Sequence, residues 1–279
     1  MNYIDLHTHS SYSDGTLCPS AIVDAASEKK ISTLSITDHD TMAATAEAID
    51  CCKKCGVEYL PGVEISTHIK TMSVHILGYY LDHNSDPLLS FLETIQQART
   101  ERNEKIFLRL NRLGIKLSLS DISNSHNPSS QIGRPHIAQL LVNKRVVKSE
   151  RDAFSRYLKK NAAAYVQRAQ MPTATAIAAI RAAGGIAVLA HPASLGLSEK
   201  SLAQLIDQLK EDGLTGVEIF HPLQSDKNIA FLEKLCHKND LVTTGGSDFH
   251  GRDRDKTNIG EYGYNKLISG SLITALNRY

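Results

Sequence analysis

Tryptophan is absent from the 279 residues, and aromatic side chains make up only 6% of them. No aromatic stacking motif of the kind single-strand-binding modules use is evident. An excess of either charge is also missing. Lys+Arg number 31 against 30 Asp+Glu, a formal net charge of +1, so no global field draws the chain to nucleic acid or an acidic membrane. No run of eighteen apolar residues occurs. The N-terminal Met1-Asn2-Tyr3-Ile4-Asp5 lacks a basic stretch followed by an apolar one. Both observations argue against membrane insertion and export. The five cysteines are odd in number, three of them in Cys51-Cys52-Lys53-Lys54-Cys55, and read as free thiols of a cytoplasmic protein. Against these scarcities stand twelve histidines.

Short apolar runs alternate with helical patterns. Tyr3 to Leu6, Thr33 to Ile36, Val57 to Leu60, Val74 to Leu77, Ile186 to Leu189, Gly216 to Phe220 and Leu241 to Thr244 read as buried strands. Leu202, Leu205, Ile206 and Leu209 recur at helical spacing, as do Ile229, Leu232 and Leu235. Pro19 suits a first helical turn, and Gly184-Gly185 and Gly213 suit helix ends. The alternation implies an α/β fold with a mainly parallel, closed or nearly closed sheet. From Pro87 to Pro172 the strand signal nearly vanishes. This stretch is expected to be a helical insertion lobe (87–172), with Ser120 to Pro128 a loop, in a discontinuous barrel domain (1–86 and 173–279).

Histidines and acids gather where strands end. In Asp5-Leu6-His7-Thr8-His9 the two imidazoles share one face of a strand, half of a metal site. Asp248 and His250 repeat the spacing after the Leu241 strand. Asp14 follows the first strand, Thr37-Asp38-His39-Asp40 the second and Glu64 the third. His75 lies in the fourth, and His191 ends the Ile186 strand. In α/β barrels such ends converge. Six histidines and three acids exceed the needs of one ion, so a cluster of two or three is expected. Several residues also have plainer roles. Asp40 before Thr41 reads better as a helix N-cap, Asp38 as a turn or ligand-orienting acid, and Asp5 as a buried orienting acid. His75 alone would pass for a core histidine. His68, His83, His126 and His237 lie off the pattern and read as surface residues.

The ordered set Asp5-Leu6-His7-Thr8-His9-Ser10, Thr37-Asp38-His39-Asp40-Thr41, Pro61-Gly62-Val63-Glu64, His75, Ala190-His191-Pro192 and Gly246-Ser247-Asp248-Phe249-His250 resembles the polymerase and histidinol phosphatase (PHP) family. The resemblance implies a distorted (β/α)7 barrel with a trinuclear metal site. His7, His9, Glu64 and Asp248 would hold one ion. Glu64, His75 and His191 would hold a second, and Asp14, His39 and His250 a third. Arg99-Thr100-Glu101-Arg102, Gly133-Arg134-Pro135-His136 and Glu218-Ile219-Phe220-His221-Pro222 are similar to one branch of that family. It contains 5′→3′ exoribonucleases on short RNA and 3′-phosphatases on nucleoside 3′,5′-bisphosphates.

The expectation is therefore a metal-dependent phosphoesterase on nucleotides or short single-stranded RNA, with no membrane and no obligatory protein partner. Water activated by divalent ions, whose pKa falls from about 15.7 to about 7, would attack phosphorus. Imidazole and carboxylate without thiolate suit manganese, zinc or iron over calcium, and the resemblance favours manganese. Arg134 would clamp a phosphate bidentately. Arg99 and Arg102, three apart on one helical face, could join it. His136 and His221 could bind substrate or donate the leaving-group proton. Three alternatives remain: a small-metabolite phosphatase of the histidinol-phosphate type, a C–N-cleaving metallohydrolase that would want a strand-end Lys, and a non-catalytic nucleic-acid-binding module.

Overall fold

Strand β1 (Tyr3–Thr8) is buried at every position from Ile4 onward, the signature of a strand covered on both faces. It pairs in parallel with β2 (Ile31–Ile36), and β2 with β3 (Glu58–Tyr59). The crossovers are α1 (Pro19–Glu28), entered through Pro19 in its first turn, and α2 (Thr45–Cys55), which ends on Gly56 at φ 70°. Their apolar faces meet through Ile22, Val23, Ala26, Ala48 and Cys52. This computed structural model describes residues 2–123, 130–169, 171–251 and 257–277; His126 lies outside them.

A second sheet runs in the order β4 (Gly62–Ile69), β5 (Met72–Tyr79), β6 (Ile186–Leu189), β7 (Gly216–Phe220), β8 (Val242–Gly245). Here the parallel expectation needs correcting. β4 and β5 form an antiparallel hairpin around Lys70 at φ 54°, and β5 is antiparallel to β6. Only β6, β7 and β8 run parallel, joined by α8 (Glu199–Glu211) and α9 (Asp226–Asn239). β4 is an additional strand. At its start a glycine is required, since a Cβ at Gly62 would lie 2.4 Å from the Ser35 hydroxyl. Val57–Leu60 contributes only the two residues of β3. The strands thus divide into sheets of three, five and two. Among the described residues no closed barrel forms, although single bridges, His39 to Glu64 and Thr8 to Phe249, join the two larger sheets. The architecture is mixed α/β. No described helix is long and apolar enough to cross a membrane.

Helix α3 (Asp86–Arg112) has 27 residues, about 40 Å at 1.5 Å per residue. Leu88, Leu92 and Ile95 pack with Ile177 and Ile180 of α7 (Thr173–Ala182) on the larger sheet. Ile106, Phe107 and Leu110 enter a separate core with Ile137, Leu141 and Leu158. The polar turn between these apolar ends carries buried Arg99, Arg102 and Asn103, because there the helix passes a cavity rather than a core. Beyond it come α4 (Ser120–Ser123), α5 (Arg134–Asn143), α6 (Glu150–Ala153) and a π-helical turn, Phe154–Leu158. The four-residue Ser120–Ser123 start of the expected loop is helical; the rest of that loop lies outside the described residues.

Candidate metal centre and the cationic cavity beside it

His7 leaves β1 on the face shared by Asp5 and His9. Gly246 lets the chain after β8 press against it, since a Cβ there would sit 2.1 Å from His7 Cβ. Asp5 binds this approach together. Its carboxylate accepts the amides of His7, Ser247 and Gly260 and the Ser247 hydroxyl at 3.2, 3.0, 2.7 and 2.6 Å. Asp38 does likewise for the loop after β1, accepting from Ser10 and Ser13. Both acids orient backbone.

Glu64 is the centre of the cluster and is 1% exposed. Its Oε1 lies 2.7 Å from His75 Nδ1 and 2.9 Å from His191 Nε2. Its Oε2 lies 3.4, 3.3 and 2.9 Å from His7 Nε2, His9 Nε2 and His39 Nδ1. Asp248 Oδ1 is 3.1 Å from His9 Nε2 and 3.4 Å from His7 Nε2, and the two Nε2 atoms are 3.1 Å apart. Four donors from His7, His9, Glu64 and Asp248 thus stand 3.1–3.4 Å apart wherever a pair is measured. Tetrahedral ligands on bonds of about 2.1 Å stand roughly 3.4 Å apart. Asp14 Oδ1 lies 3.2 Å from His250 Nε2 and 3.9 Å from His39 Nε2. His9, Asp14, His39 and His250 form another group able to hold an ion, and so do His39, Glu64 and His75.

The residues fit divalent ions on independent grounds. Glu64 Oε2 and His39 Nδ1 are buried without a hydrogen-bond partner although 2.9 Å apart, a costly state for polar atoms unless something else satisfies them. Electrostatics agree. Burial alone would raise Glu64, yet His39, His75 and His7 hold it well below the carboxylate range. Burial would lower His7, yet Glu218, Asp248 and Glu64 hold it far above the imidazole range. The backbone also bends here, with φ of 26° at His191 and 53° at Asp248, conformations that surrounding structure must enforce.

A cavity of about 380 Å³ opens on this cluster, with Asp14, His39 and His75 in its lining. Its other walls carry Arg99, Arg102, Arg134, Lys160 and Arg168. Asp40 neutralises two of these. It is fully buried, accepts the Ser66 amide at 2.8 Å, and its Oδ2 takes Arg168 at 2.6 Å and Arg99 still closer. The N-cap expected of Asp40 is therefore wrong: α2 begins at Thr45, and Asp40, at φ 57°, turns inward to the arginines. Arg102 and Arg134 have no carboxylate within 4.0 Å among the described residues. Burial, then Arg99, Arg134 and Arg168, push Arg102 down to about 9. Arg134 donates to the Leu158 carbonyl at 3.2 Å and lies over the Phe154 ring at 6.0 Å.

The PHP domain pattern matches residues 5–171. The chain belongs to the PHP family. It is 34% identical over 251 residues to a 5′-3′ exoribonuclease of Haemophilus influenzae, covering 88% of this chain and 89% of that one. To a 3′,5′-nucleoside bisphosphate phosphatase of Chromobacterium violaceum it is 30% identical, covering 93% and 91%. A solved structure from Bifidobacterium adolescentis, described as a metal-dependent phosphoesterase, superposes with a TM-score of 0.86 at 28% identity, covering 99% and 95%.

In this PHP chain all nine expected ligand residues meet in one cluster. Arg99 and Arg102 are buried at the cavity rather than solvated. His221 is buried beside Asp248, its Nε2 3.4 Å from Oδ2, and its Nδ1 accepts the Leu223 amide. His136 turns its Nδ1 to the Gly133 amide at 3.0 Å, satisfying an orphan donor at the start of α5. Arg134 and Pro135 line the cavity. His68 departs from expectation, being a lining residue and not a surface one. Two residues were missed. Glu218 accepts from His7 Nδ1 at 2.9 Å and from the His191 amide at 2.7 Å; a lone acid inside the apolar run of β7 was its signal. Arg168 sits in a polar stretch that carries no pattern.

Proposed function

We propose that this PHP chain hydrolyses phosphate esters of nucleotides, releasing the 3′-phosphate of nucleoside 3′,5′-bisphosphates and trimming short RNA from its 5′ end. The observation that carries this reading is Arg102: a guanidinium buried beside three others, with no carboxylate within 4.0 Å among the described residues, in the cavity that opens on the ligand cluster. Buried charge demands a partner. A phosphate seated there would be a second phosphate, distinct from the one at the cluster. The names of the exoribonuclease and bisphosphate phosphatase relatives support it.

His7, His9, Asp14, His39, Glu64, His75, His191, Asp248 and His250 would hold two or three divalent ions, manganese before zinc or iron. Such ions supply Lewis acidity and water activation. The protein's own part is positioning. Glu218 fixes the His7 tautomer so that Nε2 faces the cluster. Arg102, with Arg134, holds the remote phosphate. His221, whose Nδ1 is engaged by Leu223, carries its proton on Nε2 and is placed to pass it to the departing oxygen. We further read residues 87–172 as a lobe over the cavity, and the two bridged sheets as an opened form of the family's seven-stranded barrel.

The test is substrate comparison with the manganese-loaded enzyme. A nucleoside 3′,5′-bisphosphate should exceed an aryl phosphate monoester and histidinol phosphate in kcat/KM. Equal values would overturn the nucleotide assignment.

A further inference from the structure

The cavity's walls are not alike. Beside Arg134, which lies over the Phe154 ring at 6.0 Å, Phe154, Tyr165, Pro135 and Val166 add aromatic and apolar surface to the lining. Phosphates and ribose hydroxyls give such surface nothing to do. We propose that Phe154 and Tyr165 form a seat for the nucleobase, which binds by stacking and without reading the base's edge. The inference rests on the nucleotide reading above and specifies how the base is held.

Local structure supports a built wall. Phe154 opens the π-helical turn Phe154–Leu158, a rare conformation that recurs at functional sites. The Lys159 amide closes that turn on the Phe154 carbonyl at 2.9 Å. The following chain folds back, the Ala164 amide reaching the Tyr157 carbonyl at 3.0 Å. The Tyr165 carbonyl accepts from Arg109 of α3. The backbone carrying both rings is thus held in place, while Phe154 and Tyr165 are half-buried and line the cavity. Its volume of about 380 Å³ falls within the roughly 300–1,000 Å³ of small-ligand sites. Among the described residues the cavity lining holds no Asn, Gln or Glu, and its one Asp, Asp14, belongs to the ligand cluster. Stacking tolerates every base, so adenine, guanine, cytosine and uracil should all be accepted, purines somewhat better for their larger face.

Two measurements test this. First, the kcat/KM ratio of a nucleoside 3′,5′-bisphosphate to the abasic ribose 3,5-bisphosphate is taken for wild type, Phe154→Ala, Phe154→Leu and Phe154→Tyr. Losing one stacking partner should lower that ratio about ten-fold or more in the Ala variant, mostly through KM. Leu, similar in bulk but not planar, should not restore it, and Tyr should. A ratio unchanged in Phe154→Ala, or equal losses on both substrates as expected if Phe154 only props Arg134, would overturn the proposal. So would a wild-type ratio near one, which needs no variant to fold. Failure of the nucleotide reading looks different, because the abasic bisphosphate would then be no better than ribose 5-phosphate. Second, Phe154→Trp places a single tryptophan in a chain that has none. Its emission should be quenched by a nucleoside 5′-phosphate and not by ribose 5-phosphate; identical responses to both would overturn the seat.

Discussion

Arg168 reaches Asp40 through a 2.6 Å contact to a carboxylate oxygen shut off from solvent. The same oxygen takes Arg99, so a loop residue and a long helix are tied to the backbone beside His39. Removing one partner of a buried ion pair costs about 3–5 kcal/mol. Asp40→Asn retains the shape and the acceptor for the Ser66 amide but leaves two guanidiniums uncompensated. Its melting temperature should fall by on the order of 10 °C, with inorganic phosphate restoring part of the loss. Calorimetry finding the variant as stable as wild type would show that the pair contributes nothing.

Metal content comes next. The purified protein should carry two or three divalent ions per chain by elemental analysis and lose activity to chelators. His7→Ala and Asp248→Ala should each abolish phosphate release with circular dichroism unchanged. Wild-type turnover in a protein lacking both side chains would end the metal reading.

How far the sequence foretold these features depends on where each residue's information lies. His7 and His9, or Asp248 and His250, are paired by strand spacing, which is local. Asp40 shows the opposite: beside Thr41 it has the local look of an N-cap, and only the distant arrivals of Arg99 and Arg168 change its role. The β4–β5 hairpin escaped notice because Val57 to Leu60 reads as the strand before Glu64, while the close approach that requires glycine at 62 is to Ser35 in another sheet. Arg102 gave only helical periodicity; that its face meets a cavity is tertiary information.

The arginines separate recognition from chemistry. Losing a charge-assisted contact in a partly buried site costs about 1.5–3 kcal/mol, or roughly ten- to a hundred-fold. Arg134→Ala and Arg102→Ala should each lower kcat/KM for a nucleoside 3′,5′-bisphosphate by that factor and reduce an aryl monoester far less. Equal penalties would mean that these side chains serve the reacting phosphate instead.

Glu218 offers the sharpest separation of metal retention from folding. It is fully buried in β7, accepts from His7 Nδ1 at 2.9 Å and from the His191 amide at 2.7 Å. A carboxylate behind an imidazole fixes its tautomer and raises its basicity, and its loss commonly weakens metal binding ten- to a hundred-fold. Glu218→Gln keeps both the shape and an acceptor oxygen for the His191 amide, so the strand should remain in place. What it loses is the negative charge behind His7. Titrating the metal-free protein with manganese should therefore show weaker binding by about that factor, with kcat at saturating metal reduced much less than activity at limiting metal. If manganese affinity is unchanged while kcat collapses, Glu218 acts on the substrate or its protons rather than through His7.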